Sequence, residues 1–138
     1  MRLKSFRYCM LIGALALGGV AIHYFVSYVV LAIALANSGL KLDLMQSVRA
    51  LWLAFACQAL LIALLYALVA WKPHAVSREV IVIFGLMQLV EAVLLLSMAG
   101  SLVAATLLIA AAIFVLLGSV LWPKRLPPDA AAGTSAIK

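Results

Sequence analysis

The stretch VIVIFGLMQLVEAVLLLSM, Val80 to Met98, decides the fold. It is apolar nearly throughout and close to the about 20 residues needed to cross the hydrocarbon core of a bilayer. Near its middle stands one acid, Glu91. A carboxylate at that depth is costly unless it is protonated, paired or turned toward a cavity. The stretch therefore predicts a membrane-spanning helix and marks where a polar site would lie.

Three more apolar stretches flank it: Tyr8 to Ala36, Ala50 to Trp71, and Leu102 to Trp122. The first is longer than a span needs, so it tilts or its last turns from Val29 onward project beyond the membrane. Arg2, Lys4 and Arg7 followed by an apolar run also have the form of a signal peptide, with Gly18-Gly19-Val20-Ala21 as a cleavage site. The apolar run continues past Ala21, which favours an uncleaved anchor. Composition agrees with four spans. Of 138 residues, 69% are hydrophobic and 10% charged, against about half and about a quarter in soluble domains. A soluble fold of this size leaves too much surface exposed to hide so much apolar side chain.

Local signals place the helix ends. Asn37-Ser38-Gly39 closes the first helix. Asp43 with Gln46 three residues later has the form of a capping box, so the second helix starts before the membrane does. Trp71-Lys72-Pro73 ends it. Ser77 is an N-cap for the third helix, and Glu79 lies in its first turn, where the helix dipole favours an acid. Gly100 and Ser101 form a tight connection, as the C-terminal cap of one helix and the N-cap of the next. Pro123 stops the fourth helix. Residues 123–138, rich in Pro, Ala, Gly and Ser, read as a disordered cytoplasmic tail.

The net charge of +6 does not indicate nucleic-acid binding, because the basic residues are scattered at helix ends with no stripe and no interleaved aromatics. They set orientation instead. Arg2, Lys4, Arg7, Lys72, Arg78, Lys124, Arg125 and Lys138 fall on one side, and only Lys41 and Arg49 on the other. That asymmetry puts both termini in the cytoplasm. Tyr8, Trp71 and Trp122 then form the inner aromatic belt, with Trp52 at the outer interface. The expected fold is an all-α, four-transmembrane-helix bundle running up-down-up-down, with residues 1–122 as its single domain. Lack of N-glycosylation sequons and an Ala/Leu-rich composition suit a bacterial inner membrane.

Four strongly polar side chains lie within the spans: His23, Gln58, Gln88 and Glu91. At 1.5 Å per residue, His23 is roughly 22 Å from the inner edge, Glu91 roughly 18 Å, Gln58 roughly 17 Å and Gln88 roughly 13 Å. They form one layer near the midplane. Each shares a face at helical spacing: Ile81, Phe84, Gly85, Gln88, Glu91, Ala92 and Leu95 on the third span, with Gly85 and Ala92 the small residues of close helix approach; Ala16, Gly19, His23 and Ser27 on the first; Ala54, Gln58, Leu61 and Leu65 on the second. These faces are expected to point into the bundle. In one reading Glu91 and His23 form a proton-responsive pair oriented by Gln58 and Gln88. In the other, the four simply hydrogen-bond to each other and hold the helices together. Arg49 is an outer anchor that also has the reach to approach Glu91.

Catalytic and cofactor chemistry finds no support. Cys9 and Cys57 lie at depths too different for a disulfide and read as small buried hydrophobes. Metal-ligand spacing is lacking. A haem would want two axial histidines, and His74 lies in a loop. Ser27 and Ser97 have no base at a convincing spacing. Two function classes follow, the first favoured by the lack of any catalytic or cofactor motif; a membrane-embedded enzyme acting on a lipid comes third. The first is a non-enzymatic accessory or structural subunit, without cofactor, acting through helix contacts with itself, as a homodimer, or with a larger membrane complex; the pairs Ala14/Gly18 and Gly100/Ala104 have the spacing for close helix approach. The second is a small proton-coupled transporter or exporter working as a dimer through Glu91. Four short-looped helices with one membrane acid is an architecture similar to that of the small multidrug resistance exporters. Their acid lies in the first helix and this one in the third, and no motif is shared.

Overall fold

The computed structural model describes residues 2–99 and 101–123. It is helical, with α1 (Arg2–Ala36), α2 (Leu42–Trp71), α3 (Arg78–Leu94) continued by a π-helical turn (Leu95–Ala99), and α4 (Leu102–Val120). All four helices are long and apolar enough to cross a membrane. The cap expected at Gly100 and the tail from Lys124 lie outside the described residues.

The ends follow the expected chemistry with two exceptions. α1 is continuous through His23 to Ala36, and Gly39 supplies the positive φ of +68° in the turn that follows. Ser77 caps α3, its hydroxyl accepting from the Val80 amide at 3.5 Å, and Glu79 stands in the first turn. The capping box at Asp43 does not form. α2 starts at Leu42, so Asp43 is already inside the helix. The Lys41 carbonyl takes the first amides, of Leu44 and Met45, and no side chain caps the end. Ser101 holds the N-cap position of α4 without a side-chain cap bond; its carbonyl accepts from the Ala105 amide at 3.1 Å.

Packing is set by small residues, as expected where lipid gives apolar side chains no reason to prefer the interior. A Cβ on Gly13 would stand 2.6 Å from Val115, and one on Gly118 2.8 Å from Met10. α1 and α4 therefore approach closely, and at one end Phe6 meets Trp122 edge to face at 5.3 Å. α2 presents Ala56, Ala59, Ala63 and Ala70 to the core. α1 packs against α2 and α4, and α4 against α3. The backbones of α2 and α3 approach less closely than those of the other neighbouring helices, and side chains bridge the space between them.

The helices differ in length. α1 has 35 residues and α2 has 30, against 19 in α4, or roughly 52, 45 and 28 Å. Gly19 lies beside Leu107, so the start of α4 is level with the region of Tyr24. Beyond that level α1 and α2 continue as a two-helix hairpin. Arg49 braces it, donating from Nη2 to the Ala32 carbonyl at 3.1 Å. Val29, Val30, Ile33, Leu42 and Leu44 are exposed on it.

Candidate intramembrane site

The site begins with the inward face of α3. Ile81, Gly85, Gln88 and Ala92 are buried, and Phe84, Glu91 and Leu95 partly so. Every residue expected on this face is covered. Gly85 explains the closeness to α4, since a Cβ there would stand 3.1 Å from Leu116. With the small residues against α4, the polar ones are left to reach across toward α2.

Two contacts make that crossing. Gln58 Nε2 donates to Glu91 Oε1 at 3.2 Å. Gln88 Nε2 donates to the Tyr66 hydroxyl at 2.8 Å. Gln88 is fully buried, and its Oε1 has no hydrogen-bond partner among the described residues. Tyr66 is also fully buried. Sequence reasoning passed over it, although a tyrosine at mid-depth in a span needs a partner for its hydroxyl.

Between α2 and α3, where the backbones approach less closely, lies a cavity of about 280 Å³. Glu91 and Gln58 are the polar residues of its wall in the middle of the bundle. α1 contributes Leu17, Val20 and Tyr24, α2 contributes Trp52, Phe55, Ala59 and Ile62, the end of α3 and the turn after it contribute Leu94 and Leu95, and α4 contributes Leu108. Tyr24 and Trp52 meet edge to face at 4.9 Å, and Trp52 Nε1 donates to the Tyr24 carbonyl at 2.9 Å. Trp52, expected only as an interfacial anchor, is thus also part of this wall.

Three of the four candidate residues, Gln58, Gln88 and Glu91, gather between α2 and α3; Gln58 and Glu91 line the cavity, and Gln88, fully buried, does not. His23 is not among them. It is partly buried on α1, packs edge-on to Tyr24 at 6.1 Å, and offers its backbone carbonyl to the Ser27 hydroxyl. It shares no hydrogen bond or ion pair with Glu91 and is not part of the cavity wall. The expected Glu91–His23 pair is therefore replaced by Glu91–Gln58. Arg49 is committed to α1 at Ala32 and does not turn to Glu91.

The α2 face is also rotated from the expected one. Leu61 is 66% exposed and Ala54 is exposed too, whereas Ala56, Ala59, Ile62, Ala63, Tyr66 and Val69 are buried. Gln58 sits at the margin of that buried face, which is why it borders an opening. Both cysteines are free. Cys9 is partly buried, and Cys57 is exposed, contrary to its expected burial. Among the described residues, no three His, Cys, Asp or Glu side chains lie together as a metal site would need.

No family model, no curated protein and no solved structure matches the chain.

Proposed function

We propose that this chain is a small integral protein of a bacterial inner membrane whose four spans run up-down-up-down with both termini in the cytoplasm. It is not an enzyme. It is a small proton-coupled carrier or exporter that works as a dimer and takes a small molecule from the bilayer at Glu91. One observation carries the reading: Glu91 and Gln58 border a cavity between α2 and α3, whose backbones approach less closely than those of the other neighbouring helices. A purely structural acid is expected to be closed off among helices; this one faces space, as functional intramembrane acids do. Ligand sites in helical bundles are found between helices, with mostly apolar walls and few polar groups. The orientation rests on the charge asymmetry of the loops.

A second reading, the accessory subunit, is favoured by a different feature. The hairpin beyond the level of α4 exposes Val29, Val30, Ile33, Leu42 and Leu44. Contiguous apolar surface of that kind marks an interaction site when it leaves the hydrocarbon core.

Native mass spectrometry of the protein extracted gently from its own membrane tests both. A homodimer carrying a bound small molecule supports the carrier. A defined heterocomplex with an empty cavity overturns it in favour of the accessory subunit.

A further inference from the structure

We infer that the outward face of α1 is a pairing surface for the same face of a second copy of this chain, the two α1 helices running parallel from mid-membrane out along the projecting hairpin. The inference rests on the dimer of the reading above and names its interface; the cavity between α2 and α3 takes no part in it.

Spacing comes first. Leu15, Ile22, Val29 and Ala36 recur every seven residues, and Val26 and Ile33 follow Ile22 and Val29 by four. An apolar period of 3.5 residues keeps one seam turned toward another helix over many turns. The fold leaves this seam uncovered. α1 turns its other faces to α2 and α4, burying Met10, Leu17, Val20 and Tyr24, while Leu15, Ile22, Val26, Val29 and Ile33 are each more than half exposed. Gly19 stands at the same spacing after Leu15 and is turned partly to Leu107 of α4. Beside it, Gly18 has nothing within 4 Å of where a Cβ would stand. A small residue open on the seam lets a second helix come close.

Reach comes second. The seam from Leu15 to Ala36 is roughly 32 Å long, and roughly 18 Å of α1 lies beyond Tyr24, where α4 begins. Inside the bilayer, lipid covers an apolar side chain as well as a helix does. On the hairpin it does not, and removing Val29 and Ile33 from water is favourable. The occupant therefore has to be a helix that is apolar at mid-membrane and beyond it, with the same period. The α1 of a second copy has that depth, length and period by identity.

Charge comes third. No Asp, Glu, Lys or Arg lies between Arg7 and Lys41. The seam thus has no flanking charges of the kind that select a different partner or the opposite direction. Copies inserted the same way bring like residues together, Ile22 to Ile22 and Val29 to Val29, as a two-fold interface requires, and every such pair is apolar.

Cysteine cross-linking of the full-length protein in its own membrane tests this. Cys9 and Cys57 are replaced by Ala, and single cysteines are placed at Val26, Val29 and Ile33 on the seam, at Tyr28 and Leu31 off it, and at Ser47, exposed on α2. The membranes are then oxidised with copper phenanthroline. The expected result is a band of twice the chain's mass for Val26→Cys, Val29→Cys and Ile33→Cys, and its loss for Tyr28→Cys, Leu31→Cys and Ser47→Cys. Val29→Arg, checked for folding by circular dichroism, is expected to shift native mass spectrometry from two chains to one. The cysteine pattern stands whether or not that variant folds. Equal cross-linking at all six positions, as random collision gives, overturns the inference. A cross-linked band of any other mass overturns it in favour of a different protein's helix. A homodimer in native mass spectrometry without seam cross-links overturns the α1 interface and leaves the dimer of the carrier reading standing; a monomer without cross-links removes both.

Discussion

Gln58 Nε2 and Glu91 Oε1 stand 3.2 Å apart, joining α2 and α3, whose backbones approach less closely than those of the other neighbouring helices. The contact acts as a strut across that space. Interhelical hydrogen bonds in membranes average well under 2 kcal/mol, so Gln58→Ala should lower stability by about 1 kcal/mol. Glu91→Gln should cost less, because a carboxamide still accepts from Gln58. Thermal unfolding in detergent, followed by circular dichroism, ranks the two. A larger loss in Glu91→Gln than in Gln58→Ala would mean that the carboxylate has structural partners beyond Gln58.

The glycines on α1 and α4 give a graded test of packing. At Gly13 an added Cβ would stand 2.6 Å from a Val115 methyl and 3.4 Å from the Ala111 carbonyl oxygen. Val115 is β-branched and buried, so it has no rotamer to retreat into. Gly13→Ala should therefore destabilise by about 1–3 kcal/mol. At Gly118 the closest atom is the flexible Cε of Met10, at 2.8 Å, with Cys9 Cβ behind it at 3.3 Å; Gly118→Ala should cost less. At Gly18 nothing lies within 4 Å, and Gly18→Ala should be neutral or slightly stabilising through helix propensity. The same thermal assay checks the order.

The third helix was legible because its polar residues and its small residues share one stripe. Gln88 and Glu91 together with Gly85 and Ala92 mark a single face, and that face is the covered one. The second helix offered no such contrast. Leu61 was expected inside and is 66% exposed, since in lipid a leucine is equally at home on either side. The usable signal there was the spacing of Ala56, Ala59, Ala63 and Ala70, small residues where helices approach. The cavity had no signature in sequence, because it arises from the looser backbone approach of α2 and α3. His23 shares a depth with Glu91 but not a direction, and depth alone was what residue counting supplied.

Tyr66 and Gln88 form a buried polar pair. Tyr66→Phe removes the acceptor and leaves the Gln88 amide unpaired in an apolar setting. That should cost about 1–3 kcal/mol. Gln88 Oε1 is already without a partner among the described residues, so the glutamine has little net bonding to lose. Gln88→Leu in the Tyr66→Phe background should recover much of the loss, because both halves of the pair are then apolar. A double-mutant cycle on unfolding free energies measures the coupling, and strict additivity would count against the pair acting as a unit.

In the proposed proton-coupled carrier, the proton and the cargo exchange at the Glu91 carboxylate, and this fixes the sign of a pH dependence. The titratable groups that face Glu91 are Tyr24 from α1 and Tyr66 from α2; α4 contributes the apolar Leu108 to the wall. The phenols stay neutral well above neutral pH, so among these groups the Glu91 carboxyl is the one whose titration sets the profile. Cargo affinity should fall as pH falls through the titration of Glu91, approaching about tenfold per pH unit at its acid end. Where bound cargo excludes the proton, saturation with the small molecule that copurifies with the protein should also release protons from those sites whose Glu91 is protonated, read in weakly buffered solution. Glu91→Gln should flatten the pH profile and abolish the release. Proton release that persists in Glu91→Gln would place the exchangeable proton on another group and remove Glu91 from any coupling between proton and cargo.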